Sequence, residues 1–406
     1  MKGNIDKNSH KPRILINMHY MEIGGAERAL IGFLNAIDTD IVDVDLFLNQ
    51  HTGEFMRLIP SNINLIPEQP RYSTLERPII ETIKKGHIDI AIARVISRLN
   101  HWLYRKVQKP DKERDMSLFQ YVAKFTTPLL PKLNKLGEYD LAISFLAPHN
   151  IVKDKIIAKK KIAWIHTDYS TIAINSKMEF KVWNAYDKII SISDKVTKMF
   201  TTCFPELSNK VYEIENILSP KLIRQQATEF KPTEYNLSTL NFCSVGRFCY
   251  AKNFEAIPFI AKILADRGLD FHWFIIGYGN TQEIERNISE TVTQNYITLL
   301  GKKTNPYPYI GNCDIYIQPS RYEGKSITVR EAQILCRPTI ITNYPTAQSQ
   351  VKDGLDGIIC DMNNESVANA IESLIRNDYL KQNIIDYLSV NDYGNETEIN
   401  KIYNLI

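Results

Sequence analysis

Residues 313–338 read CDIYIQPSRYEGKSITVREAQILCRP. Cys313–Gln318 is a short apolar run, the pattern of a buried strand. Pro319-Ser320 is a turn pair. ITVREAQIL reads as a helix that stops before Arg337-Pro338. Gly324, Lys325 and Ser326 therefore lie at a helix N-terminus, where unpaired backbone N–H groups and the helix dipole favour an anion. Glu323 stands at the mouth of that site, and a second acid, Glu331, lies further along the helix. A phosphate cradle flanked by two acids suits a nucleotide-sugar: N–H groups for the diphosphate, carboxylates for hydroxyls.

The same strand-then-helix grammar runs through the chain. In the first half RILINMHY, VDVDLFLN, YDLAISFL, KKIAWIH and DKIISIS read as strands, and AERALIGFLNAI as a helix. In the second half LNFCSVG, DFHWFIIG, YITLLG, TIITN and GIIC are strands, and NFEAIPFIAKILADRG is a helix ending at Gly268. Short apolar runs alternating with helices predict parallel sheets covered on both faces. Two such halves predict an α/β chain of two doubly wound domains, with the join at ENILSPK (215–221), where turn residues and a proline cluster. In open α/β sheets ligands bind beyond the carboxyl ends of the strands, which is where the polar motifs fall.

Those motifs resemble a family. The pair Glu323 and Glu331 matches the E-x7-E signature of family 4 retaining glycosyltransferases of the GT-B fold. SVGRFCYAKN (244–253) resembles that family's G-R-x4-K element through Gly246, Arg247 and Lys252. GGAERAL (24–30) resembles its Gly-Gly-x-Glu loop, and WIHTD (164–168) its His-containing loop. The four elements stand in the family's order. Two departures are Lys325-Ser326, where an aromatic and a glycine are usual, and Gly277-Tyr278-Gly279, where Gly-Asp-Gly is common.

The resemblance implies two Rossmann-like domains facing across a cleft: an acceptor-binding domain at 1–218 with a helical insertion at 71–136, and a nucleotide-sugar domain at 219–385. It also implies a C-terminal helix, 386–406, that crosses back to the first domain. Arg247 and Lys252 would stabilise charge growing on the leaving diphosphate. Glu323 would hold hydroxyls of the transferred sugar and Glu331 those of the ribose. Gly24, Gly25, Gly246, Gly324, Lys325 and Ser326 would let backbone approach the donor. His166 would sit at the reacting sugar, with Asp168 and Asn216 as weaker acceptor contacts. No obvious nucleophile for double displacement is present, so a front-face mechanism is expected, with a UDP-sugar as donor and no metal or other cofactor. The expected acceptor is a glycan, lipid-linked, in bacterial capsule, O-antigen or teichoic acid assembly. A protein acceptor and a non-catalytic partner subunit are the alternatives, and the second is disfavoured by the complete set of phosphate and ribose residues.

Composition sets bounds. At 406 residues, 44% hydrophobic and 23% charged, the chain has room for two cores and an ordinary globular balance. A net charge of +3 gives a nucleic-acid role no bulk support. The six cysteines (203, 243, 249, 313, 336 and 360) contain no CxxC pair and read as reduced core thiols of a cytosolic protein. MKGNIDKNSHKP has no apolar h-region. GKS at 324–326 ends no Walker A loop, because Pro319 stands where its first glycine would be. Asp38-Asp40 and Asp43-Asp45 look like the DxD metal motif of the other glycosyltransferase fold but read as solvent-facing acids. Between Lys84 and Arg114 lie nine Lys/Arg and three Asp/Glu, with Trp102, Leu103 and Tyr104 among them. Such a helix can lie on an anionic membrane surface, at the inner face of the membrane, or pack its apolar side on the sheet; both readings stay open.

Overall fold

The computed structural model describes residues 11–112 and 114–406. Most of the MKGNIDKNSHKP segment, and Glu113 of the basic stretch, fall outside the described residues. The chain divides into two units. The first runs to Ile217 and takes in Glu396–Ile406; the second is Leu218–Asn395.

The first unit is built on a seven-stranded sheet of β1 (Arg13–Met18), β2 (Asp43–Leu48), β3 (Asn64–Leu65), β4 (Glu138–Ser144), β5 (Ile157–Ile165), β6 (Lys188–Ser191) and β7 (Val211–Glu213), ordered β3-β2-β1-β4-β5-β6-β7. The second has β8 (Leu240–Phe248), β9 (Phe271–Gly279), β10 (Ile297–Gly301), β11 (Ile315–Gln318), β12 (Thr339–Thr342) and β13 (Ile358–Cys360), ordered β10-β9-β8-β11-β12-β13. Every pairing is parallel. The cause is visible in the central strands. Residues 14–18, 242–245 and 315–318 are buried without interruption, so helices must cover both faces of each sheet. Burial of these runs, with Trp164, Trp183 and Trp273 fully enclosed, supplies the main drive for folding.

Each sheet changes winding direction once, between β1 and β4 and between β8 and β11. Loops that leave the carboxyl ends of those strand pairs diverge and open a crevice. In the second unit the strands also approach unusually closely. Gly246 and Gly277 face each other across β8 and β9. A Cβ on Gly277 would lie 1.8 Å from the Gly246 carbonyl oxygen. Gly277→Ala is therefore expected to destabilise the protein by about 3 kcal/mol, since backbone must move to admit the methyl group. A urea midpoint unchanged from wild type would contradict this.

Several details differ from the sequence reading. The chain returns to the first unit at Glu396, ten residues later than expected, because Asp378–Val390 is a helix whose Ile384 and Leu388 are buried in the second unit's core. Asp45 is not solvent-facing: it accepts from Arg13 (3.1 Å), Tyr139 (2.6 Å) and Asn64 (2.6 Å). All six thiols are free, but Cys203 and Cys249 are exposed; only Cys243 and Cys313 are fully buried.

Candidate functional site

In the second unit, the loops after β8 and β11 meet at the winding reversal. Asn253 adopts the left-handed conformation (φ 57°) and donates from Nδ2 to the Pro319 carbonyl at 3.0 Å, which ties one loop to the other. Lys252 Nζ then lies 2.6 Å from Glu323 Oε1, both side chains being mostly shielded. Gly246 makes that reach possible. A Cβ there would stand 3.2 Å from Lys252 Cε and 3.1 Å from the Phe254 ring, so the bare backbone gives the lysine stem its path. A relay from the core fixes the carboxylate: Tyr316 OH donates to Gln318 Oε1 (2.8 Å), Gln318 Nε2 to Ser320 Oγ (3.0 Å), and Ser320 Oγ to Glu323 Oε1 (2.7 Å).

Arg247, one residue before the end of β8, has an exposed side chain, and among the described residues nothing accepts from its guanidinium. The site thus holds one cation neutralised by a carboxylate and one left for an outside anion. A diphosphate takes the fork of an arginine in two hydrogen bonds and the point charge of a lysine beside it.

The helix expected after Ser326 is Ile327–Ile334. Thr346 Oγ1 lies within reach of the Glu323 and Gly324 carbonyls (3.0 and 2.7 Å) and holds the turn before it. A Cβ on Gly324 would meet nothing, so the space in front of the turn is open, and the Lys325 side chain is exposed. The Ser326 N–H, expected to face a ligand, instead donates to Gln350 Oε1 at 3.0 Å. Glu331 is 2% exposed and takes the Tyr307 hydroxyl on Oε1 at 2.7 Å. Tyr307, Gln318, Ser320 and Gln350 position this site, yet carry no motif; only the structure shows that they converge on it.

The remaining predicted residues belong to the first unit. Gly24 precedes the helix Gly25–Ala36, whose first turn carries Glu27 folded back over it. Asn216 stands at the end of the unit. Asp168 forms a turn: Oδ1 accepts from the Ser170 N–H (2.9 Å) and Oγ (2.6 Å), and Oδ2 faces Lys195 at 3.4 Å. His166 follows β5 and lines a small pocket of about 90 Å³. His149, Trp164, Glu179 and Trp183 line the same pocket. Glu179 is held there by Tyr169 (2.7 Å) and Trp183 Nε1 (3.0 Å). By contrast His149 Nε2, His166 Nε2 and Trp164 Nε1 are buried without a hydrogen-bond partner among the described residues. Sequence reading found His166 but missed His149, which stands in no motif.

His149 is 1% exposed, with Ser144 Oγ 2.8 Å from its Nδ1. Burial first, then the neighbouring His19 and His166, pushes its pKa down to about 3. Its neutral form is therefore the folded form. The unfolded chain binds the proton at higher pH, so this histidine's contribution is complete above about pH 6.5 and declines as the pH falls toward 3. The stability difference between wild type and His149→Gln should shrink by about 1–2 kcal/mol from pH 7 to pH 5. Urea titrations giving the same difference at both pH values would refute it.

Residues 225–389 match the family described as Glycosyl transferases group 1. An uncharacterized glycosyltransferase of Haemophilus influenzae is 23% identical over 245 residues, covering 58% of this chain and 67% of that protein. The capsular polysaccharide biosynthesis glycosyltransferase CapM of Staphylococcus aureus is 29% identical over 146 residues, covering 34% of this chain and 38% of CapM. Among solved structures, Anabaena HepE in complex with UDP and glucose superposes with a TM-score of 0.64 at 14% identity, covering 96% of this chain and 98% of HepE. That likeness establishes the fold, which is GT-B. The match over residues 225–389 and the glycosyltransferase relatives support a transferase.

Proposed function

We propose that the enzyme moves a sugar, with retention of configuration, from a UDP-sugar to a lipid-linked glycan in the assembly of a bacterial surface polysaccharide. The observation that carries the donor half is the Lys252–Glu323 pair at the winding reversal of the second sheet, close in sequence to Arg247, whose guanidinium has no partner among the described residues. When the bond between sugar and diphosphate breaks, negative charge grows on the leaving phosphate. Arg247 and Lys252 meet that charge, an interaction stronger in the transition state than in the ground state. Donor binding draws Lys252 toward phosphate and leaves Glu323, still held by Ser320, to accept from sugar hydroxyls. Glu331 takes the ribose hydroxyls. With two cations at the diphosphate the reaction proceeds without a metal. The leaving phosphate oxygen takes the acceptor's proton in a front-face transfer.

The acceptor half rests on the first-unit pocket. One nitrogen of each imidazole is already engaged, and a polyol would meet His149 Nε2, His166 Nε2 and the Trp164 Nε1–H donor. CapM is named for capsular polysaccharide biosynthesis, which suits a glycan acceptor.

A thermal-shift screen of UDP, GDP, ADP and their sugar conjugates, with and without EDTA, tests the donor half. UDP and one UDP-sugar should raise the melting temperature by about 5 °C at concentrations far above Kd, with EDTA making no difference. A shift abolished by EDTA would remove the metal-independent mechanism, and no shift with any nucleotide would remove the donor site.

A further inference from the structure

The basic insertion folds with its apolar face outward. Its long helix, Ile88–Gln108, places Ile88, Ile92, Val95, Leu99 and Trp102 at alternating spacings of four and three, hence on one face. Each of these side chains is 50–57% exposed, and Val107 further along is 75% exposed. The face turned toward the protein buries only Ile90, Ala91 and Ala93 as apolar side chains and is otherwise polar. Arg94 donates to the Thr74 (2.8 Å) and Arg77 carbonyls, buried Ser97 bonds its own helix at Ala93 O (2.7 Å), and His101 pairs with Asp115 at 3.0 Å. A surface helix in water ordinarily shows the reverse arrangement. An apolar band of this length left open marks a contact surface.

We propose that this face seats the protein on an anionic lipid bilayer. Charge selects the occupant. Arg98 and Lys109 flank the apolar band, Arg105 between them is paired with Asp115 at 3.5 Å, and Lys84 and Lys85 precede the helix. Lys106 Nζ lies 3.7 Å above the Trp102 ring, an arrangement that leaves the ammonium at the level of lipid headgroups while the indole enters the acyl boundary. The helix's exposed acid, Asp89, is already paired with Arg71. A second copy of the chain laid on this face would set cations against cations, whereas anionic headgroups complement them. The helix is too polar to cross a membrane, and no described helix is long and apolar enough to do so. It is suited to lie in the interface. The next helix, Ser117–Thr126, packs against it through Tyr104 and Tyr121, with ring centroids 5.7 Å apart. Its Phe119, with Met116 before it, is exposed and also lines the His149–His166 pocket. A chain seated this way holds that pocket beside its lipid-contacting helices.

Vesicle flotation of the full chain tests the proposal without donor or acceptor, so its outcome is separate from that of the transferase reading. Vesicles of phosphatidylcholine with about 40% phosphatidylglycerol should bind at least tenfold more protein than phosphatidylcholine alone, and added salt should weaken binding. The double variant Ile92→Glu, Leu99→Glu should lose at least tenfold of that binding. Both positions are exposed, so its melting temperature should match wild type; should it not, the charge variant Arg98→Glu, Lys109→Glu, expected to bind anionic vesicles at least tenfold less, supplies the test. Equal binding by wild type and both variants would overturn the proposal. So would failure of wild type to bind, including the case in which light scattering shows a dimer that the first variant dissociates.

Discussion

Arg247→Ala is expected to lower turnover by about a hundredfold or more while leaving the melting temperature of the ligand-free protein within about 1 °C of wild type. The two halves have one cause. Arg247 is exposed and bonded to nothing among the described residues, so the fold does not depend on it. A cation that meets the leaving diphosphate acts only when charge develops there. Lys252→Ala should lower turnover to a similar extent, but with a structural consequence. It leaves Glu323 without its ion pair, its side chain only 12% exposed, and the melting temperature should drop measurably. Loss of turnover without loss of fold in the first variant, and loss of both in the second, would separate catalysis from scaffolding. Near-normal rates in both variants would sink the roles assigned to these residues, and steady-state assays at saturating donor decide it.

The architecture was readable in the sequence because parallel strands buried on both faces are unbroken apolar runs, and residues 242–245 and 315–318 are such runs. Strand, turn and helix around 313–338 then placed Glu323 at the carboxyl edge of the sheet. The pairing of Lys252 with Glu323 was not readable. It depends on β8 and β11 being neighbours, which no local pattern states, and on Asn253 bridging to Pro319. Nor was the orientation of Ile88–Gln108. Periodicity shows that a helix has two faces, not which one turns inward. Here the face of Ile90, Ala93, Arg94, Ser97 and His101 turned inward, and Thr74, Arg77 and Asp115, distant from their partners in sequence, offered its polar groups hydrogen bonds. Asp45 was misread for the same reason: its partners Arg13, Asn64 and Tyr139 come from three other strands. Side chains whose meaning is a contact at long sequence range remain silent until the fold brings the contact about.

The second large effect belongs to Glu331. Its carboxylate is 2% exposed, and Oε1 accepts the Tyr307 hydroxyl, which orients it. Vicinal ribose hydroxyls donating to a shielded carboxylate make charge-assisted bonds, each worth about 1.5–3 kcal/mol. Glu331→Ala should therefore weaken UDP binding by about ten- to a hundredfold. The rate at saturating donor should change far less, because the ribose does not react and its grip is the same in ground and transition states. Removing a buried carboxylate also leaves a cavity and an unpaired tyrosine, so the alanine variant alone could mislead through misfolding. Glu331→Gln keeps the volume and an acceptor for Tyr307 but removes the charge. It should melt close to wild type and bind UDP with an intermediate affinity. Calorimetric titration of UDP into the folded glutamine variant decides the matter: affinity equal to wild type would mean that Glu331 serves the fold and that the ribose is held elsewhere.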